Sequence, residues 1–322
     1  WYRSWLDYWE ESTMSQADVL VVNSNFTKER VQAEMAGVRQ KPMHVLYPSL
    51  NMEKFASPTS SSSSNAPIVS LNRFERKKNI GLLLEAYSEL QALLGRKRAP
   101  RLVIAGGYDI QNEENVLYLQ ELRKLATKLG VLENIDWKPN VSDEERSVLL
   151  TTCLCLVYTP HLEHFGIVPL ECMYAGRPVV ALASGGPLET VLHEKTGFLC
   201  KPNDPTDMAS YLKKLVDNPK LSVEMGRAGH QHVKTKFSKK AFEQEWLDLL
   251  TKTVKTGTYR RWAKRNTYRL QRCLVYLMEA VVILGLAQLL TFLLRCVGIL
   301  ESDAHIWSTV KNAVLSPRQG EL

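Results

Sequence analysis

Cysteine is scarce in this chain, which has six cysteines among its 322 residues. So few thiols do not form the dense disulfide framework that staples small secreted domains. Cys153 and Cys155 are separated by one residue in a predicted strand, but no second pair follows to complete a zinc site. We therefore interpret the cysteines as small apolar core residues of a protein in a reducing compartment, and we predict no metal site.

Two other features are missing, and each excludes a class of function. The string G-x4-G-K-[ST] does not occur, which excludes a kinase-like or P-loop site. Acidic residues are absent from residues 252–272, where eight Lys or Arg side chains occur. The net charge of +7 therefore comes from this one segment, and the rest of the chain is near neutral. The basic character is local and does not indicate a nucleic-acid-binding body.

The beginning of the chain has the pattern of a partial domain. The first residue is Trp1 rather than Met, and no signal peptide follows it. Residues 1–50 carry a helical pattern, a buried strand within 17–24, a helix at 26–35 and a strand at 44–47. We expect the chain to lack its natural N-terminus. A Ser-rich stretch at 57–65 follows, which is typical of a mobile loop.

After this loop, short apolar strands alternate with amphipathic helices. The predicted strands are residues 68–71, 102–105, 135–137, 154–158, 179–181 and 197–199. The predicted helices are residues 80–94, 115–129, 143–150, 168–175, 205–216, 222–236 and 239–254. Such alternation is typical of βαβ units, so we predict an α/β fold with a Rossmann-like parallel sheet. A sheet of this kind binds its ligands at the carboxyl ends of the strands.

Two glutamates with seven residues between them, Glu163 and Glu171, follow one of these strand ends in E-H-F-G-I-V-P-L-E. Gly166 allows the backbone to approach a ligand closely, because it has no Cβ. The helical pattern starts at Ile167, and the first N–H groups of a helix favour anions, phosphate above all. The two carboxylates can accept hydrogen bonds from hydroxyl groups. An anion site beside hydroxyl acceptors is what a sugar nucleotide requires.

Four strings carry a resemblance to a known family. They are L-N-R-F-E-R-K-K-N at 71–79, A-G-G-Y-D at 105–109, Y-T-P-H-L-E-H-F-G-I-V-P-L-E at 158–171, and S-G-G-P-L-E at 184–189. In this order they resemble the retaining glycosyltransferases of the two-domain GT-B architecture. Within these, they are similar to the α-1,3/α-1,6-mannosyltransferases of the dolichol-linked oligosaccharide pathway. The resemblance covers roughly residues 1–250.

The resemblance implies a division of the chain into segments. The main one, residues 67–236, corresponds to the GT-B C-terminal domain, which binds the donor. The others are a remnant of the N-terminal acceptor domain with the crossing at 1–50, a Ser-rich linker at 51–66, a return helix at 237–254, a basic segment with a hydrophobic membrane-associating helix at 255–300, and a tail at 301–322.

The resemblance also implies roles for individual residues. Arg73 and Lys78 match the cations that hold the donor diphosphate, although Arg76 and Lys77 beside them make a solvated charge run an alternative. Glu163 matches the residue near the donor-sugar hydroxyls, and with Arg73 and Lys78 it forms the predicted catalytic set. We identify no classical general base or nucleophile, because the family is thought to transfer on the front face, with the leaving phosphate taking the acceptor's proton.

The predicted donor-binding set is larger. Glu171 matches the residue that hydrogen-bonds the nucleotide ribose. His164 is either a sugar contact or a packed side chain. The remaining members contribute backbone: the N–H groups of Phe165, Gly166, Ile167 and Val168, and the turn at Gly106 and Gly107.

A long apolar run, Leu274 to Leu300, is not needed by the sugar-nucleotide fold. Its uncharged centre, Ala280 to Leu294, is flanked by Glu279 and Arg295. A spanning helix needs about 20 apolar residues, so the run spans a membrane only if one flank lies near an interface; the alternatives are a re-entrant or a surface-lying helix. The basic segment before it favours anionic lipid and a cytosolic position.

The function that the resemblance implies is transfer of mannose from GDP-mannose, without a cofactor. The implied acceptor is a dolichol-diphosphate oligosaccharide at the cytosolic face of the endoplasmic reticulum membrane, with other enzymes of the same pathway as partners. Two alternatives stay open. One is another retaining GT-B glycosyltransferase that uses a different sugar nucleotide. The other is a non-catalytic half-enzyme that binds a nucleotide on the membrane.

Overall fold

The computed structural model describes residues 2–52 and 66–296. The chain divides into two compact units, Trp1–Thr253 and Val254–Leu322. The predicted Ser-rich loop at 57–65 and the tail at 301–322 lie outside the described residues.

The first unit begins with a small two-stranded layer. Helix α1 (Tyr2–Gln16) leads into strand β1 (Leu20–Val22), helix α2 (Asn25–Glu34) and strand β2 (Met43–Val45). The two strands pair in parallel, with Leu20 opposite Met43. Leu20 and Met43 form a small core with Val38. The predicted helix and strands are present, but β1 and β2 are shorter than the apolar runs that predicted them.

A six-stranded parallel sheet forms the main body, as predicted. The strands are β3 (Ile68–Leu71), β4 (Leu102–Gly106), β5 (Ile135–Pro139), β6 (Cys155–Tyr158), β7 (Val179–Leu182) and β8 (Gly197–Cys200). Their order is β5-β4-β3-β6-β7-β8. From β3 the next strands, β4 and β5, are added toward one edge of the sheet, and from β6 the next strands, β7 and β8, are added toward the other edge. Adjacent strands that diverge in this way leave a crevice at their carboxyl ends, where open α/β sheets bind ligands.

Helices cover both faces of this sheet. They are α3 (Ile80–Leu94), α4 (Glu113–Lys128), α5 (Asp143–Thr152), α6 (Ile167–Tyr174), α7 (Pro187–Thr190), α8 (Pro205–Asp217) and α9 (Pro219–Lys236). Successive strand residues point to opposite faces. Ile68 thus belongs to a core cluster with α3, α4 and α8, whereas Val69 belongs to a second cluster with α6 and Phe237.

Two helix boundaries differ from the prediction by three residues or more. Helix α9 begins at Pro219 rather than at residue 222, because Asn218 caps its first turn and proline fits the first helical position. The helix predicted to end at residue 254 continues as α10 (Lys239–Cys296). No proline occurs in this range, so nothing in the sequence forces the helix to stop.

The described part of the second unit, residues 254–296, is helical throughout. Within it, Leu274–Leu294 is a 21-residue stretch with a mean hydropathy of 2.2, and none of its residues is buried. By length and composition this stretch can cross a membrane. The predicted apolar run extended to Leu300, and its last four residues lie outside the described part of the chain.

Candidate active site

A cavity of about 600 Å³ opens at the carboxyl ends of β3, β4 and β6. This volume falls in the ordinary range for small-molecule sites. Its wall contains positively and negatively charged side chains, several glycines and the first turn of α6. The lining residues are Leu71, Asn72, Arg73, Glu75, Lys77, Lys78, Gly106, Gly107, Asn140, Val141, Asp143, Arg146, Tyr158, Glu163, Gly166, Ile167 and Val168.

Eight of the predicted site residues lie on this wall. They are the whole predicted catalytic set and five donor-binding residues: Arg73, Lys78, Glu163, Gly106, Gly107, Gly166, Ile167 and Val168. Three other predicted residues, Glu171, Phe165 and His164, lie behind or beside the wall. The strands that precede these segments are neighbours in the sheet, so their ends meet in space.

Lys78 and Glu163 form the central ion pair of the cavity. The Lys78 Nζ lies 2.5 Å from Glu163 Oε2, and the two side chains are 16% and 27% exposed. Thr159 donates a 2.7 Å hydrogen bond to the Lys78 carbonyl and so fixes the backbone that carries this lysine. The pair sets a cation and a carboxylate side by side above β3 and β6.

The other cations of the R-F-E-R-K-K string have different surroundings. Arg76 pairs with Glu121 at 2.6 Å, and this pair is absent from the cavity wall. Lys77 lies 3.0 Å from Glu75, and its side chain is 70% exposed. Arg73 is also largely exposed at the mouth of the cavity. The structure thus separates Lys78, which points inward, from a surrounding run of solvated charges.

Gly106 is required by the close approach of two strand ends. Its φ is +145°, and a Cβ there would lie 2.1 Å from the carbonyl oxygen of Asn72. Asn72 donates its N–H to Ala105 O at 3.0 Å, which holds the two loops together. At the neighbouring Gly107, a Cβ would lie 3.4 Å from the nearest atom, in Arg73. Gly106 therefore shapes the cavity floor, whereas Gly107 has room for a side chain.

The first turn of α6 faces the cavity. Gly166 is the residue before the helix and has a φ of +79°, a conformation that glycine adopts without strain. In the described part of the chain, no side chain caps this helix start. Ile167 and Val168 form the adjacent wall. The helix N-terminus therefore offers the cavity the anion-favouring end of its dipole.

Glu171 is buried and paired with Arg146 of α5. Only 8% of the residue is exposed, and an Arg146 nitrogen contacts its Oε2. Burial raises the pKa of Glu171, and the Arg146 charge opposes that rise. Arg146 lies on the cavity wall and Glu171 does not. The predicted ribose contact of Glu171 stays a prediction.

Phe165 and His164 both contact the N-terminal segment. Phe165 is buried and stacks on Tyr47 with ring centroids 5.9 Å apart. His164 is exposed, with its Nδ1 3.1 Å from the Thr27 hydroxyl and its ring 5.8 Å from that of Phe26. Neither residue is on the cavity wall. The sugar contact predicted as one role of His164 stays a prediction.

Several lining residues were not predicted from the sequence. Asn72 and Asn140 directly follow β3 and β5, so the strand-end rule could have found them. Burial raises the pKa of Tyr158 well above its usual value, and the charges of Glu163 and Glu171 add to this rise. Arg146 and Asp143 are helical residues without a recognisable motif. Among the described residues, no group of three His, Cys, Asp or Glu side chains could hold a metal ion.

The family model of glycosyl transferases group 1 matches residues 52–232. The chain belongs to this family. Of the curated relatives, the human "Alpha-1,3/1,6-mannosyltransferase ALG2" is 40% identical over 262 residues, which are 79% of this chain and 63% of the human protein. Its Dictyostelium discoideum counterpart is 40% identical over 274 residues, or 78% and 65% of the two chains. The chain thus spans somewhat less than two thirds of the length of these relatives.

Solved structures agree on the fold. Sucrose-phosphate synthase from Thermosynechococcus elongatus aligns with a TM-score of 0.67 at 22% identity, over 77% of this chain and 61% of that one. Anabaena Alr3699/HepE in complex with UDP and glucose aligns with a TM-score of 0.61 at 21% identity, over 73% and 64% of the two chains. The predicted fold class, an α/β chain with a Rossmann-like parallel sheet and a hydrophobic C-terminal helix, is confirmed.

Proposed function

We propose that this chain is the donor-binding part of a retaining mannosyltransferase. In this proposal it takes mannose from GDP-mannose and transfers it to a dolichol-diphosphate-linked oligosaccharide during assembly of the N-glycan precursor. The observation that carries the proposal is the cavity at the carboxyl ends of β3 and β6, in which Lys78 faces Glu163. The names of the relatives support mannose as the sugar, since several are α-1,3/1,6-mannosyltransferases.

The cavity has the charges that a nucleoside diphosphate sugar needs. Its cations, Arg73, Lys77, Lys78 and Arg146, occur together with the open helix start of α6. A diphosphate carries negative charge along its length, so cations and helix N–H groups stabilise it together. The carboxylates on the same wall can accept hydrogen bonds from sugar hydroxyls and from N–H groups of a base.

The proposed chemistry combines these placements with the front-face transfer that the family resemblance implies. In the transition state, negative charge develops on the departing diphosphate, and Lys78 with Arg73 neutralises it. Glu163 accepts a hydroxyl hydrogen bond from the donor sugar, which orients the ring. The leaving phosphate takes the proton of the acceptor hydroxyl, so the chain needs no separate general base.

Calorimetric titration with GDP, UDP and ADP tests the donor assignment. We expect GDP to bind at least tenfold more tightly than UDP and ADP. Tighter binding of UDP supports another sugar nucleotide, and binding of GDP without transfer to a lipid-linked acceptor supports the half-enzyme. A well-folded chain that binds none of the three contradicts the proposal.

We also propose that the protein acts at the endoplasmic reticulum membrane with its catalytic part in the cytosol. Leu274–Leu294 supports membrane association, because it is long enough and apolar enough to cross a bilayer. The eight cations of residues 252–272 precede it directly and favour the cytosolic side.

A further inference from the structure

Tyr158 is the last residue of β6, and its side chain reaches the candidate active site. Only 4% of the residue is exposed, and it belongs to the core cluster that includes Phe165 and Leu170. It is nevertheless part of the cavity wall. The next residue, Thr159, anchors the backbone of Lys78. The core therefore holds this tyrosine in place at the edge of the sheet where the cavity opens.

The Tyr158 hydroxyl bonds no other group in the part of the chain that the structure describes. No hydrogen bond joins it to a side chain or backbone atom of residues 2–52 or 66–296. It is also not one of the fully enclosed polar atoms that lack a partner, so it is open to the cavity. Buried tyrosine hydroxyls usually find a partner, as Tyr87 does by donating to the Pro100 carbonyl at 2.7 Å. The exception at Tyr158 therefore indicates a partner that a ligand supplies.

The hydroxyl lies beside the start of α6. A Cβ at Gly166 would lie 3.3 Å from the Tyr158 hydroxyl oxygen and 3.2 Å from its Cε1. Gly166 directly precedes α6, and both Gly166 and the first helical residues, Ile167 and Val168, are part of the cavity wall. The tyrosine O–H and the first turn of the helix are therefore neighbouring donors. Such a group of donors favours a ligand that only accepts, and phosphate oxygens are strong acceptors.

The surroundings of Tyr158 keep its hydroxyl protonated. Burial raises the pKa of Tyr158, and the charges of Glu163 and Glu171 raise it further. An unperturbed tyrosine is already neutral at physiological pH, so this one keeps its hydrogen. A phosphate beside the ring adds negative charge, which again disfavours the phenolate. Tyr158 is therefore a permanent hydrogen-bond donor toward the cavity.

We propose that Tyr158 is a further ligand-binding residue, whose hydroxyl donates a hydrogen bond to a phosphate oxygen of the nucleotide at the start of α6. The proposal rests on the proposed function for the class of ligand, a nucleoside diphosphate. It adds a neutral donor to the cations Arg73 and Lys78 of the same wall. A hydrogen bond to a charged acceptor is stronger than one between neutral groups, so its loss should be measurable as affinity.

Tyr158→Phe tests the proposal, because it removes the hydroxyl and keeps the ring. We expect calorimetry on the full chain in detergent micelles to show GDP binding weakened roughly ten- to hundredfold, the usual effect of losing a hydrogen bond to a charged group. The Tm of the ligand-free chain should stay the same, since no described protein group loses a partner. GDP has no sugar on its diphosphate, so a loss of GDP affinity excludes a contact made to the mannose alone.

Tyr87→Phe is the matched control. It also removes one buried tyrosine hydroxyl, but that hydroxyl bonds the Pro100 carbonyl, and neither residue is on the cavity wall. We expect Tyr87→Phe to lower the Tm, because a buried carbonyl loses its donor, and to leave GDP affinity unchanged. The two variants should therefore show opposite patterns of stability and binding.

Phosphorus-31 NMR of bound GDP locates the contact. We expect one of the two phosphorus signals to move between the unmodified chain and Tyr158→Phe, and neither to move in Tyr87→Phe. Unchanged GDP affinity in Tyr158→Phe overturns the proposal, as does a loss that comes with a lower Tm or leaves both signals in place. If the unmodified chain binds UDP or ADP instead of GDP, the proposed donor is wrong, and the same comparison with that nucleotide still decides the role of Tyr158. A well-folded chain that binds none of the three overturns both proposals.

Discussion

Lys78 Nζ lies 2.5 Å from Glu163 Oε2, although the two residues are 85 positions apart in the chain. Lys78 follows the central strand β3 and Glu163 follows its neighbour β6. The pair therefore lies at the ends of the two central strands, from which the sheet extends in opposite directions. A bound diphosphate would compete with Glu163 for the lysine. The carboxylate would then be released toward hydroxyl groups of the sugar.

Replacing Glu163 tests this relationship. We expect Glu163→Ala in an active enzyme to depress kcat more than it weakens donor binding, because in the proposed function the carboxylate orients the sugar while cations hold the diphosphate. Steady-state kinetics and calorimetry with GDP separate the two effects. Glu133→Ala is the matched control, since Glu133 is exposed and absent from the cavity wall. An unchanged kcat in Glu163→Ala would show that this residue does not take part in the reaction.

Replacing Glu171 should act on binding instead. Loss of one charged hydrogen bond costs about 1.5–3 kcal/mol, so Glu171→Ala should weaken GDP binding roughly ten- to hundredfold. The substitution also leaves the partner Arg146 without its carboxylate. Calorimetry measures the change, and Arg146→Met should reproduce part of it if the pair acts as one unit. Wild-type affinity in both variants contradicts the assignment.

The two neighbouring glycines of the A-G-G-Y-D string should respond differently to alanine. Gly106→Ala places a Cβ 2.1 Å from the Asn72 carbonyl oxygen, whereas Gly107→Ala meets nothing closer than 3.4 Å. We expect Gly106→Ala to destabilise the fold by about 1–3 kcal/mol, the usual cost of overpacking, and to reduce GDP binding. Gly107→Ala should change stability little. Chemical unfolding compares the two, and equal losses would show that the close approach is not the cause.

Stability at low pH should depend on Glu189. Burial alone would raise its pKa, but hydrogen bonds from the Asn25 and Phe26 backbone, Tyr47 and the Asn25 side chain outweigh burial and lower it below 4.5. A lowered folded-state pKa adds stability above the unfolded-state pKa, and this stability is lost as pH falls through the folded-state value. Glu189→Gln should therefore lower Tm at pH 7, with a difference that shrinks below pH 4.5. A constant difference across this window would contradict the charged contact.

The apolar C-terminal helix should be separable from nucleotide binding. Deleting the residues after Val254 should release the protein from microsomal membranes and leave GDP binding intact, because the cavity lies wholly within the first unit. Sedimentation after a high-salt wash measures attachment. A deleted form that still sediments with membranes would show that attachment lies elsewhere.

Local patterns were enough to predict the strands and to predict that Glu163 follows a strand end. Short apolar runs such as Ile68–Leu71 are fully buried strands, and the βαβ alternation fixes their parallel direction. Lys78 and Glu163 each follow a strand, and strand ends share one edge of a parallel sheet. The strand-end rule therefore indicated the edge of the sheet, and the family resemblance selected Lys78 and Glu163 at that edge.

Only the tertiary structure decided which groups meet. Lys78 rather than Arg76 faces Glu163, Glu171 pairs with Arg146, and Glu189 holds the start of α2 across 164 positions of sequence. The order of the strands and the path of the chain between them bring such residues together. Local periodicity depends only on neighbouring residues, so it cannot predict which distant residues will pair. The sequence by itself determined the strands and the edge of the sheet at which Lys78 and Glu163 lie, whereas packing determined each carboxylate's partner.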